Sequence, residues 1–299
     1  LYGGPPSRFV ALDGAQLHYR DEGRGPPLVL LHGSRASLHQ WDGWVAELRD
    51  EFRLIRVDAR AHGLSNEDGI GDYSPDRGVE LLRLLLDELD IEQFYLGGTS
   101  SGAVQAVHFA AAYPERVRQL LLSTVPLKLP AAMETPLRRR AVFWLHQRIL
   151  NSTSTSWYWR HFLEGIYADP KKVTDELVQR YRILNSQPGR RQEQQRLIDK
   201  WYELGGPERD YELAARVTTP VFIQWGAAGP VLPLELQCEI ARAFSATDVR
   251  VVTYSDLGHK LAMEDAARTA RDAVRYLRGE EVGSSCASVL MIDSRRRNP

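Results

Sequence analysis

The sequence predicts an α/β protein with a mostly parallel central sheet. Short, β-rich apolar runs recur at 26–33, 52–58, 93–98, 117–124, 220–226 and 249–256. Amphipathic stretches such as "WDGWVAELRD" and "RGVELLRLLLDELD" stand between several of them. Continuously apolar strands need cover on both faces, and interleaved helices supply it.

Taken in order, "RFVALDGAQLHYRD" (8–21) reads as a hairpin with Asp13-Gly14 as its two-residue turn. "PPLVLLHG", "FRLIRVD" and "QFYLGG" supply the next strands, and "VRQLLLST", "PVFIQWG" and "VRVVTYSD" continue the series. The alternation breaks between about Pro126 and Glu212, a segment that reads as helical throughout. In "PLRRRAVFWLHQRIL", Leu137, Ala141, Leu145 and Ile149 make an i, i+4 stripe among arginines. "DPKKVTDELVQRYRIL" opens with Asp169 as an N-cap and Pro170 at the first helical position. Four of the seven tryptophans, Trp144, Trp157, Trp159 and Trp201, fall in this insertion. They are expected to pack it onto the main domain, with one or two left to line an apolar roof. The expected domains are a core at 1–125 and 213–278, the helical insertion at 126–212, and a tail at 279–299 ending in the solvated cluster "SRRRNP".

Composition narrows the function. A chain of 299 residues, 43% hydrophobic, can bury a substantial core. Its 38 basic and 39 acidic residues leave a net charge of −1, which gives no electrostatic case for nucleic acid or an anionic membrane as partner. No apolar run approaches the ~18 residues of a membrane span, so stable membrane insertion is not expected. The chain begins at Leu1 rather than Met, so a preceding segment, with any signal or anchor it carried, has been removed or left out. Compartment and oligomeric state stay open. Cys238 and Cys286 match no metal or redox spacing and read as free thiols, one packed and one in the tail. No His, Asp and Glu cluster has metal-ligand spacing, and no Gly-rich phosphate fingerprint follows the first strands. Neither a metal nor a cofactor is expected.

The densest chemistry is in "FYLGGTSSGAVQAVHFAAAYPERV". An apolar strand runs into Gly98-Thr99-Ser100-Ser101-Gly102, and a small-residue helix leaves at once, which is G-x-S-x-G in its required setting. The glycines let the chain reverse sharply, which pushes the Ser100 hydroxyl out at the carboxyl end of the strand. The backbone N–H of Ser101 and the positive end of the helix dipole point to the same place.

From here the chain resembles the α/β-hydrolase superfamily, over roughly residues 8 to 278. "LLHGSRASLHQWDGW" looks like the family's His-Gly loop, and "VDARAHGLS" is similar to its D-x-R-G-H-G-x-S run, with Ala61 replacing a glycine. "GGTSSG" is the elbow, and "SDLGHKLAMED" resembles the loop that carries the catalytic histidine. The helical insertion falls where members carry a cap. The resemblance implies Ser100 as nucleophile, His259 as general base, and the N–H groups of Ser34 and Ser101 as the oxyanion hole. Serine rather than aspartate at the elbow argues against haloalkane dehalogenase or epoxide hydrolase chemistry. The remaining histidines read as structural: His32 orients its own loop, His62 sits in a turn and His108 is packed. His18, His39, His146 and His161 read as surface or cap residues.

One departure matters. Members usually place the catalytic acid three residues after the "WG" that ends the seventh strand, and here that acid position is vacant, occupied by Gly229. The acid holds the imidazole in one tautomer and stabilises the imidazolium, and its loss costs roughly 10⁴ in turnover in proteases of this constellation. That is about 5 kcal/mol of transition-state stabilisation. The stretch after the preceding strand, another place for the acid, offers Ser123 and Thr124 and no carboxylate. Asp256, three residues before His259, is the candidate surrogate, though a loop-start aspartate more often caps its own turn. Two readings follow. One is a serine hydrolase of small, mostly apolar esters or related acyl substrates, weakened by the missing acid. The other is a ligand-binding pseudoenzyme that keeps the pocket and has lost turnover.

Overall fold

The computed structural model describes residues 2–66, 68–128, 155–229, 231–284 and 286. Eight strands form one sheet in the order β1-β2-β4-β3-β5-β6-β7-β8. They are β1 (Arg8–Leu12), β2 (Ala15–Gly23), β3 (Pro27–Leu31), β4 (Arg53–Val57), β5 (Phe94–Thr99), β6 (Val117–Ser123), β7 (Val221–Gly226) and β8 (Val249–Tyr254). Pairing is antiparallel from β1 to β2 and from β2 to β4, and parallel across the rest. The first hairpin turns on Asp13 (φ 42°) and Gly14 (φ 85°), the pair of positive φ values a two-residue turn needs to match the strand twist.

Helices cover both faces. On one side α2 (Pro75–Glu88) and α3 (Ser101–Ala112) pack Leu81, Leu82, Leu85, Val107 and Phe109 against the inner strands. On the other, α1 (Asp42–Leu48) and the last helix bury Trp44, Val45, Ala273 and Tyr276 over Leu28, Leu30, Leu54 and Phe222. Ser74 starts α2, its hydroxyl accepting the Arg77 N–H, with Pro75 at the first helical position.

Between β6 and β7 lies the inserted helical cap region. Its described helices are α4 (Ser156–Glu164), α5 (Asp175–Asn185), α6 (Arg190–Glu203) and α7 (Gly206–Ala214). The expected stripe of Leu137, Ala141, Leu145 and Ile149, with Trp144 and His146, falls outside the described residues. Asp169 does cap, but only a single 3₁₀ turn, Pro170–Lys172. Thr174 then starts α5 anew by accepting the Leu177 N–H. Val173 breaks the expected single helix by adopting an extended conformation and burying its side chain with Tyr167 and Tyr181. After β7 follow α8 (Leu236–Ala243), the short α9 (Leu261–Glu264) and α10 (Ala266–Leu277).

Two sequence expectations need correction. Cys238 and Cys286 are not free thiols but a disulfide, their Cα atoms 5.4 Å apart across 48 residues. Such pairing is invisible in spacing, because folding alone brings the segment after α10 against α8. The same segment forms a β-bridge between Ser284 and Val251. His18 and His39, expected at the surface or in the cap, are both buried. His18 lies on a strand with neighbours on both sides, and its Nδ1 is 2.6 Å from the buried carboxylate of Asp58.

Candidate active site

Strand β5 delivers the elbow at the carboxyl edge of the sheet. Ser100 has φ 52° and ψ −124°, a region that non-glycine residues occupy only when the surroundings enforce it. The reversal is tight. A Cβ at Gly98 would lie 2.4 Å from the Gly102 carbonyl oxygen, and one at Gly102 would lie 2.4 Å from that of His32. Ser101 opens α3, so its N–H has no acceptor within the helix.

The His-Gly loop after β3 closes on this turn. A Cβ at Gly33 would stand 3.1 Å from Ser100 Cβ, so only glycine fits without displacement. His32 orients the loop as expected. Its Nε2 accepts the Ala59 N–H at 3.0 Å, which leaves the ring proton on Nδ1 to be donated to the Gly33 carbonyl at 2.8 Å. Asp58 ties the same region together by accepting the Leu38 and Leu64 N–H groups at 2.6 and 2.8 Å. Burial works against the charged form of Asp58, but the His18 hydrogen bond, the neighbouring His32 and the Leu64 N–H hold its carboxyl below the usual range.

His259 arrives on the loop after β8, held by neighbours from three directions. Its N–H donates to the Ile166 carbonyl of the cap region at 2.9 Å, and its own carbonyl accepts the Thr124 hydroxyl at 3.3 Å. The end of β7 presses on the same loop, where a Cβ at Gly226 would fall 1.9 Å from the Gly258 oxygen. The ring is buried, and among the described residues Nδ1 has no hydrogen-bond partner. Burial, then the charge of Lys260, pushes its pKa down to about 3. Among the described residues no carboxylate counters that shift.

The positions read as acid sites resolve differently. Gly229 lies against the histidine loop, where an added Cβ would be 3.1 Å from both Gly258 Cα and the His259 nitrogen. Asp256 is exposed, and both its oxygens accept from Arg268 Nη1 at 2.9 Å. The structure does not bring Asp256 to the His259 ring.

Ser34, Ser100, Ser101 and His259 do converge, all lining one cavity of about 520 Å³. Leu31, Leu81, Val104, Leu197 and Ile198 give it apolar walls. Trp201 also lines it, while Trp159 is buried within the cap region and Trp157 is exposed. Sequence reading missed two groups beside His259. Lys260 is buried in the cavity wall. Glu264 is buried beneath the loop, accepting the Ala168, Gly258 and Lys260 N–H groups at 2.9, 3.0 and 3.1 Å. The available signal was "GHKLAME" itself, a lysine next to the histidine and a glutamate one helical turn on. His108 is packed as expected, but its Nε2 is 2.6 Å from the buried Asp210, which also accepts the Trp201 indole N–H at 2.8 Å.

Residues 26–266 match the family described as the alpha/beta hydrolase fold. The chain belongs to that family. Over 277 residues it is 27% identical to a 2-hydroxy-6-oxononadienedioate/2-hydroxy-6-oxononatrienedioate hydrolase of Burkholderia vietnamiensis, covering 90% of this chain and 94% of that one. A 2-hydroxymuconate semialdehyde hydrolase from a Pseudomonas species is 35% identical over 118 residues, 38% of this chain and 42% of the relative. Among solved structures, Cfl2 of Burkholderia cenocepacia superposes with a TM-score of 0.76 at 25% identity, covering 91% of this chain and 97% of its own. The chain is thus related to alpha/beta-hydrolase-fold enzymes that act on small organic substrates, and this kinship supports enzymatic activity. Among the described residues no helix is long and apolar enough to cross a membrane. No group of three or more metal-binding side chains occurs among them either.

Proposed function

We propose that this alpha/beta hydrolase cleaves small, mostly apolar esters or related acyl substrates. Ser100 attacks the acyl carbon, His259 takes up its proton, and the N–H groups of Ser34 and Ser101 hold the oxyanion. The observation that carries the reading is the strained Ser100 at φ 52°, opening with His259 onto an apolar-walled cavity. A turn kept in so unfavourable a conformation fits a nucleophile held ready better than a packing turn. The relatives' named substrate bears an oxo group and two carboxylates, so oxo acids of that kind belong in the substrate panel. The test is turnover of p-nitrophenyl acetate and butyrate, with Ser100→Ala as the control. Activity is expected in the parent chain and not in the variant, and equal rates in the two would sink the assignment.

A second reading is a ligand-binding pseudoenzyme, favoured by the partnerless Nδ1 of His259 and the glycine at position 229. A fluorophosphonate probe separates the two. Rapid stoichiometric labelling of Ser100 at neutral pH requires an activated serine and would count against pure binding.

A further inference from the structure

Lys260 is only 3% exposed, yet it lines the cavity. Its Nζ lies 3.6 Å from the point where a Cβ of residue 33 would stand, and Ser100 Cβ is 3.1 Å from that same point. The bare glycine therefore leaves the amine and the nucleophile facing a shared gap. Among the described residues Nζ makes no hydrogen bond or ion pair, and the carboxylate of Glu264 instead accepts three backbone N–H groups. With no protein partner and opening on the cavity beside a serine, the amine is placed to act on what the cavity holds.

We propose that Lys260 is a second proton acceptor for Ser100, serving the same nucleophile as His259 in a chain that lacks the usual acid. This rests on the reading of Ser100 as nucleophile. The neutral amine takes the hydroxyl proton as Oγ bonds to the acyl carbon, and the carbonyl electron pair moves onto oxygen. When the intermediate collapses, the bond to the leaving alkoxide breaks and the Nζ proton passes to that alkoxide. Water then attacks the acyl-enzyme and gives its proton to Nζ. The acid departs, and the proton returns to Ser100 Oγ. A four-carbon stem lets Nζ close the remaining distance by rotation or through one water.

The electrostatics favour this use. Burial pushes the Lys260 pKa down to about 8, with Glu264 acting in the opposite direction. A base is most effective when its pKa lies near the working pH, and His259, at about 3, is far weaker. The titratable groups acting on Lys260 or felt by it are His259 beside it, Glu264 from α9 and His32 from the loop after β3.

The experiment follows the rate of fluorophosphonate labelling of Ser100, and kcat/KM for p-nitrophenyl acetate, across roughly pH 5.5 to 9.5. It compares the parent chain with Lys260→Met, Lys260→Arg, Lys260→Gln and His259→Ala, each checked for folding by thermal melt. The parent rate should climb through a limb near pH 8, in line with the depressed lysine. Lys260→Met should lose that limb and at least ~10-fold of the rate at the alkaline end. Lys260→Arg should not restore it, because a guanidinium stays protonated. If Lys260→Met does not fold, Lys260→Gln takes its place. A limb that survives in the neutral variants, or parent-like rates in Lys260→Arg, would overturn the proposal, the latter showing that only the positive charge matters. Labelling that persists while ignoring Lys260 removes this inference alone. A parent chain that is never labelled removes the nucleophile reading and this proposal with it.

Discussion

Gly229 touches the backbone that carries His259. A side chain there would begin 3.1 Å from the His259 nitrogen, while among the described residues the Nδ1 of that histidine has no partner. The backbone at Gly229 is not in the left-handed region, so an L side chain meets no conformational barrier. Only the Gly258–His259 backbone has to give, by a few tenths of an ångström. Gly229→Asp should therefore place a carboxylate within reach of Nδ1 and fix the tautomer. We expect esterase kcat/KM to rise by at least ~10²-fold, with the gain abolished in Gly229→Asp/His259→Ala. Gly229→Asn, with similar bulk and no charge, should restore little. A folded Gly229→Asp with unchanged activity would mean that this position is not the acid site.

The disulfide gives a stability prediction. Closing a loop of 48 residues restricts the unfolded chain, and such a bridge contributes about 2–4 kcal/mol. Cys286→Ser, or reduction with dithiothreitol, should lower Tm by several degrees, and dithiothreitol should do nothing further to the variant. Identical melting with and without reductant would show that the bridge does not form in solution.

Acid should destabilise the fold through its buried histidines. His259 and His62 are pushed down to about 3, first by burial, and His39 to about 4 for the same reason. In the unfolded chain each titrates near 6.5. As pH falls below 6.5 the unfolded state takes up protons that the folded state refuses, so stability is lost progressively down to pH 3–4. Denaturant midpoints should drop between pH 7 and pH 5, and the slope should be shallower in His259→Gln. An equal slope in the two proteins would contradict the neutral, buried state of His259.

Ala61 offers a stabilising change. It holds φ at 58° while buried, in a conformation that penalises a Cβ by roughly 1–2 kcal/mol. Glycine removes the clash but adds freedom to the unfolded chain, which offsets part of the gain. Ala61→Gly should raise stability by about 0.5–1 kcal/mol. A lower melting temperature would show that the Ala61 methyl contributes more through packing than its backbone conformation costs.

Local pattern was enough for the sheet and the elbow. The Asp13-Gly14 turn, the apolar strands and the glycines around Ser100 are short-range features, each set by the residues within one turn or strand. These determined the fold class and put Ser100 at a strand–helix reversal. The sequence also showed that position 229 holds no carboxylate. What it left open was every pairing across distance. His18 meets Asp58 across 40 residues, His108 meets Asp210 across 102, and Cys238 meets Cys286 across 48. Asp256 and His259 are three residues apart, yet Arg268 takes the carboxylate, and among the described residues the Nδ1 of His259 has no hydrogen-bond partner. A lysine beside His259 is visible in "GHKLAME", but its burial is not. Only the closing of the His-Gly loop, the elbow and the histidine loop on one another buries its amine beside Ser100. Local sequence sets backbone conformation within a few residues, whereas burial and charge pairing depend on which segments the folded sheet brings together.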